Sequence, residues 1–163
     1  MGNAFSNYKI IDVTPTLSTN EYAQNDCLFN KVEIPNAVLG KGGCAELINI
    51  TVDSDKAAWK EIDVVIFENN QSLEAANDAL AVSAADGKAA KMLGWVNLPA
   101  AGNMDLGNFT FTNAVPAVGK PQLPFLIQAA AGSTSCYFIA ILRGTAETFG
   151  ADDLTFRFHI KQS

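Results

Sequence analysis

The side chains best suited to catalysis in this sequence are a single histidine and a few neighbouring carboxylates. His159 stands between Arg157 and Lys161 in a run that alternates polar and apolar residues, so we expect it on the solvent side of a strand. A catalytic histidine needs a positioned partner, and the chain has no G-x-S-x-G turn to present a serine nucleophile. The residue pattern therefore predicts that the protein is not an enzyme.

The neighbouring carboxylates form two pairs, Asp53/Asp55 and Asp152/Asp153, and both pairs lie beside expected turns. Aspartate at a turn usually bonds the local backbone. A calcium site needs about six to eight oxygen ligands, and no EF-hand loop follows Asp53. A glycosidase would need two carboxyls across a groove, and nothing in the sequence singles out such a pair. We predict no metal and no cofactor.

The three cysteines, Cys27, Cys44 and Cys136, are odd in number and none are spaced as C-x-x-C. This count does not fit a disulfide framework, and with one histidine it gives no support to a structural zinc site. Free cysteine is among the most buried residue types. We expect all three to be reduced and to act as small buried hydrophobes.

Charge and hydropathy limit the classes of partner. The formal net charge is −6, and lysine and arginine form no cluster, so we predict neither nucleic-acid binding nor attraction to an anionic membrane. No apolar run approaches the roughly 20 residues of a membrane span. The first residues also lack the pattern of a signal peptide, which predicts synthesis in the cytoplasm.

The aromatic residues Trp59, Trp95 and Tyr22 leave carbohydrate binding open as a function. Aromatic faces suit flat apolar ligands, so these three residues are candidates for a sugar-stacking platform. The alternative is that they cover or fill the core of a sheet protein. This choice depends on whether their rings are exposed.

The elements that must position these residues are strands. In the last run, Leu154, Phe156, Phe158 and Ile160 share one face, which predicts one buried and one wet side. Residues 136–142 are apolar on both faces, which predicts a strand covered on both sides. Glycines between the two runs suggest a hairpin spanning 133–161, and its Phe156/Phe158 face requires a second sheet.

Similar patterns recur along the chain, and they predict a single all-β domain over residues 8–163, preceded by a flexible arm, residues 1–7. The expected fold is a jelly-roll-like β-sandwich of about eight to nine strands with a short Ala-rich helical insert. In the insert, Ser72 and Ser83 are candidate N-caps, for helices over 72–80 and from 84, and Gly94 is a candidate stop. The strands are expected at 8–17, 27–34, 44–52, 62–67, 95–98, 108–115, 125–129, 135–142 and 154–161.

Several short segments, spread over most of the chain, carry a family resemblance: Thr14-Pro15-Thr16-Leu17, Tyr22-Ala23 with Asp26, Phe67 followed by Leu73, Asn77, Ala79, Ser83 and Asp86, then Leu93-Gly94, Arg143-Gly144-Thr145 and Asp153-Leu154-Thr155. In their order and spacing they resemble a family of virion structural proteins of tailed bacteriophages that are similar to capsid decoration, or cement, proteins. The resemblance implies a jelly-roll-like sandwich, commonly a homotrimer, on the exterior of the virion capsid. Its implied partner is the major capsid protein, and it implies no catalytic residues.

Four residues are candidates for the contact with such a partner. Arg157, His159 and Lys161 share the predicted solvent face of the last strand, and Phe5 is the one large apolar side chain of the arm. An aromatic anchor on a mobile arm can become ordered when it fills a pocket on its partner. The alternative function is a carbohydrate-binding β-sandwich module on a phage tail or fibre.

Overall fold

Antiparallel strands account for most of the regular structure. The computed structural model describes residues 7–114, 119 and 123–163. Within these residues, twelve strands and one helix follow one another as β1 Tyr8–Val13, β2 Glu21–Tyr22, β3 Val32–Ile34, β4 Cys44–Ser54, β5 Ile62–Phe67, α1 Ala84–Ala90, β6 Met92–Leu98, β7 Met104–Asp105, β8 Thr110–Asn113, β9 Phe125–Gln128, β10 Cys136–Leu142, β11 Glu147–Thr148 and β12 Leu154–Gln162. The predicted all-β fold class is confirmed.

The larger sheet has six strands in the order β1-β12-β4-β8-β7, with β9 also paired to β4. The long strand β4 pairs with β9 through its first residues and with β8 through its last. On β12, Leu154, Phe156, Phe158 and Ile160 are buried, as the alternation predicted. The register between β12 and β4 shifts after His159, which places a bulge in the middle of the sheet.

The smaller sheet has four strands in the order β3-β10-β5-β6, and β2 pairs with β11 in a separate two-stranded sheet. β5 lies between β10 and β6. Its nearly continuous apolar sequence is therefore explained by a central position with both faces covered.

The two larger sheets meet in an aromatic core centred on Phe138 of β10. Its ring centroid lies 5.3 Å from that of Phe156 and 4.8 Å from that of Phe158, both on β12. β10 and β12 therefore face each other from different sheets, and the hairpin expected over 133–161 was wrong. Each strand already has two hydrogen-bonded neighbours, β3 and β5 for β10, β1 and β4 for β12, so the chain crosses from one sheet to the other between them.

The second face of β10 is covered by the excursion between β5 and β6. Ile139 and Ile141 form a smaller buried cluster with Cys27, Leu73 and Ala90, among others. The expected burial of both faces of this strand is confirmed. The insert serves as a third layer over part of the four-stranded sheet.

Helix α1 begins at the predicted Ser83 cap, whose hydroxyl accepts a hydrogen bond of 3.1 Å from the Asp86 N–H. The helix expected at 72–80 is absent. The backbone there bonds to the preceding loop instead, with Asn77 N–H donating to the Cys27 carbonyl at 2.8 Å. Lys91, in a left-handed conformation, ends α1, so the expected stop at Gly94 was also wrong.

Gly94 instead has a packing role in β6. A Cβ at this position would lie 2.7 Å from a ring carbon of Phe125 on β9. The absence of a side chain lets the edge strands of the two sheets approach each other.

Several predicted strands differ from the observed ones at their ends, among them the first two. β1 stops at Val13, ahead of Pro15, and the strand expected at 27–34 is reduced to β3 and an isolated bridge between Cys27 and Ile141. Asn7, the last residue of the predicted arm, extends the ladder of β1, because its carbonyl accepts a 2.9 Å hydrogen bond from the Gln162 N–H. Residues 1–6, including Phe5, lie outside the described residues.

Candidate functional site

The three candidate interface residues of β12 lie together on the side of the six-stranded sheet that faces away from the core, which we call the outer face. Residues directly opposite one another in adjacent strands share a face of the sheet. Arg157, His159 and Lys161 alternate with the buried residues of β12 and so point outwards; the first two are half-buried and Lys161 is exposed. The predicted solvent face of the strand is confirmed.

The outer face also carries large exposed apolar side chains that sequence patterns did not single out. They follow from the register: Tyr8 and Ile10 lie opposite Lys161 and His159, Leu126 lies opposite Glu46, and Phe111 lies opposite both Asp53 and Met104. Their exposed fractions are 64% for Tyr8, 58% for Ile10, 72% for Leu126, 36% for Phe111 and 59% for Met104. Charged residues lie between them, with Lys161 and Glu46 between Tyr8 and Leu126, so the outer face is mixed apolar and polar, as the contact surfaces of non-obligate partners are.

Charge on the outer face is neutralised locally around Arg157. Its Nε lies 3.4 Å from Asp12 Oδ1 on β1, and its Nη1 donates to Asp53 Oδ2 on β4. The hydrogen bond to the Asp53 carboxylate raises the pKa of the Arg157 guanidinium, so the group stays cationic. The three side chains tie three adjacent strands together at the centre of the face.

A cavity of about 310 Å³ opens beside this ion-paired centre. It lies at the bulge, where Ile48 is the extra residue of β4. Its walls are largely apolar, and they are formed by Tyr8, Lys9, Ile10, Ile48, His159 and Ile160. The volume is of the order needed to hold one large apolar side chain of another protein.

His159 contributes a polar atom to this region, and the residues opposite it supply no carboxylate to orient its ring. Its Nε2 lies 3.2 Å from the Thr51 Oγ1 across the β12–β4 pair. Neither the opposite residue of β1, Ile10, nor that of β4, Asn49, is a carboxylate. The geometry is that of a polar contact within the sheet surface.

One carboxylate of each pair makes a side-chain contact, and the expected bond to local backbone is formed by Asp153 but not by Asp53, which lies within β4. Asp53 bonds Arg157, and Asp153 accepts from the Gly150 N–H at 2.6 Å and lies 3.7 Å from the Lys56 ammonium. Across the described residues, no three or more His, Cys, Asp or Glu side chains come together as a possible metal site.

The cysteines behave differently from one another. Cys27 and Cys136 are buried, as expected, and burial raises the pKa of each thiol to about 12. Cys44, at the start of β4, is exposed, which contradicts the expectation that all three are buried. All three are free thiols in the structure.

The proposed sugar platform does not form, because two of its three rings are inside the protein. Tyr22 is 0% exposed and Trp59 is 6% exposed. The Tyr22 hydroxyl donates to the Leu28 carbonyl at 2.8 Å, and the Trp59 Nε1–H donates to the Leu98 carbonyl at 3.3 Å. These contacts explain why aromatic residues with a polar end are tolerated at buried positions.

No protein-family model matches the chain, and no curated protein matches it. The described residues contain no helix with the length and apolar character that a membrane span requires.

Proposed function

We propose that this chain is a non-enzymatic virion structural protein, a capsid decoration (cement) protein that binds the outer surface of a phage head. The observation that carries the proposal is the outer face of the six-stranded sheet, where exposed apolar side chains surround an ion-paired centre. Such a surface suits broad contact with another protein. The resemblance of the sequence to phage decoration proteins supplies the identity of the partner, the major capsid protein.

The dimensions of the outer face agree with this role. β4 has eleven residues, which correspond to a length of about 37 Å at roughly 3.4 Å per residue. Five strand positions, about 4.8 Å apart, give a width of roughly 24 Å. The other strands are shorter, so the usable area is several hundred Å², of the same order as the roughly 800 Å² that each partner buries in a standard interface.

The proposal includes a homotrimer, as the resemblance implies. A closed three-membered ring would let a small domain sit on a local three-fold axis of the shell. Mass measurement of the purified chain at micromolar concentration tests this part: a trimer is expected, and a monomer at every concentration would refute a preformed ring.

Binding to the shell is tested by co-sedimentation. Purified chain is mixed with capsid shells of the encoding phage that lack it, and the expected result is pelleting at a fixed copy number per capsid subunit. Leu126→Asp should weaken binding at least tenfold, because it places a charge on the outer face. Leu39→Asp is the matched control, since Leu39 is similarly exposed, at 59%, but lies in the loop between β3 and β4.

Two outcomes would contradict the proposal. If the unmodified chain does not pellet with the shells, the decoration role is refuted. If Leu126→Asp and Leu39→Asp bind equally well, attachment lies away from the outer face.

A further inference from the structure

One edge of the six-stranded sheet, β1, differs from the other sheet edges. Proteins avoid unwanted strand pairing by shortening or covering their edges. β3 and β7 are only three and two residues long, and β6 lies against β9, where Gly94 meets the Phe125 ring. β1 has six residues, pairs with β12 alone among the described strands, and exposes Tyr8, Lys9 and Ile10.

The backbone of β1 directs alternate residues towards the open edge. Because the Asn7 carbonyl accepts from the Gln162 N–H, the odd-numbered residues of this segment form the hydrogen-bonded pairs with β12. Ile10 and Asp12 belong to the intervening pairs, so their N–H and C=O groups point away from β12. The edge can therefore accept another strand without breaking an existing ladder.

We propose that β1 pairs antiparallel with β1 of a second copy of this chain, about a two-fold axis at Ile10. In this register Ile10 lies opposite Ile10, Tyr8 opposite Asp12, and Lys9 opposite Ile11. No pair brings like charges together, although the whole chain carries a formal net charge of −6. A second copy can therefore hydrogen-bond the open N–H and C=O groups of β1, and its side chains are compatible with those that they face.

The pairing would make the two six-stranded sheets continuous, with two outer faces on the same side. A two-fold contact cannot close a ring of three, so in a virion it would connect neighbouring trimers; this step rests on the proposed function. The strand pairing itself does not rest on the proposed function, so it can be tested on the isolated chain.

The test is a disulfide between two copies, in a Cys44→Ser background that removes the exposed native thiol. Ile10→Cys would place two cysteines in a hydrogen-bonded antiparallel pair with Cα atoms about 5.5 Å apart, within disulfide range. Leu126→Cys is the matched control, because it is at least as exposed and lies on the same face but on β9. In a glutathione redox buffer, Ile10→Cys should form at least ten times more covalent dimer than Leu126→Cys at equal concentration.

A charge exchange at the same position gives an independent readout. Ile10→Lys and Ile10→Glu should each lose the association across β1 in sedimentation equilibrium, leaving no species larger than the trimer, because like charges then face each other across the axis. An equimolar mixture of the two charge variants should restore the association, because opposite charges then face each other. Equal cross-linking of the two cysteine variants, or no recovery in the mixture, overturns the pairing. Shell binding by the same preparations is scored separately, so a failure here leaves the decoration role standing.

Discussion

Replacing Phe138 by alanine should cause one of the largest losses of stability in this protein. The ring is fully buried and contacts the rings of Phe29, Phe156 and Phe158 at centroid distances of 5.2, 5.3 and 4.8 Å. Phe→Ala changes in a core cost about 3–5 kcal/mol, and the aromatic contacts favour the upper part of that range. At roughly 2–4 °C per kcal/mol for a chain of this size, the melting temperature should fall by about 8–20 °C.

The assay is urea unfolding followed by fluorescence and circular dichroism, with Phe111→Ala as the matched control. Phe111 is 36% exposed on the outer face, so the same chemical change there should cost less than about 1 kcal/mol. If the two variants lose similar free energies of unfolding, Phe138 is not the contact between the sheets. The assignment of β10 and β12 to opposite sheets would then be refuted.

Three further outcomes are expected. Ser83→Ala should speed amide hydrogen exchange in α1 by several-fold without changing the global free energy of unfolding by more than about 1 kcal/mol, and unchanged exchange would contradict the cap. Ellman titration at pH 8 should find one reactive thiol, Cys44, in the native protein and three after unfolding. Burial raises the pKa of Cys27 from 9.0 to about 12, so the folded state favours the protonated thiol. This contribution to stability is complete below pH 9 and is lost as the pH rises towards 12. Cys27→Ala should therefore flatten the alkaline decline in the free energy of unfolding, measured by urea titration at each pH. Deletion of residues 2–6 should leave the melting temperature unchanged but weaken shell binding, and Phe5→Ala should reproduce much of that loss. If the deletion variant binds the shell as tightly as the full chain, attachment lies on the sandwich alone.

The sequence alone was sufficient for the features that depend on local periodicity and local hydrogen bonding. The alternation of β12 placed Arg157, His159 and Lys161 on one exposed face, because side chains of a strand alternate whatever its neighbours are. The Ser83 cap was predictable for a similar reason, since the capping hydroxyl and the N–H from which it accepts are three residues apart. The buried central strand β5 followed from its continuous apolar run.

The tertiary structure decided which surfaces meet, and periodicity contains no information on that. A buried face shows only that something covers it, so the sequence did not distinguish a β10–β12 hairpin from the observed contact of these strands across the core. The helix expected at 72–80 does not form, because backbone groups of this segment hydrogen-bond to the loop at 25–27, a partner distant in sequence. The apolar side chains of the outer face share that face for the same reason: Ile10, Phe111 and Leu126 lie on three different strands, and only the register of those strands places them on one side of the sheet.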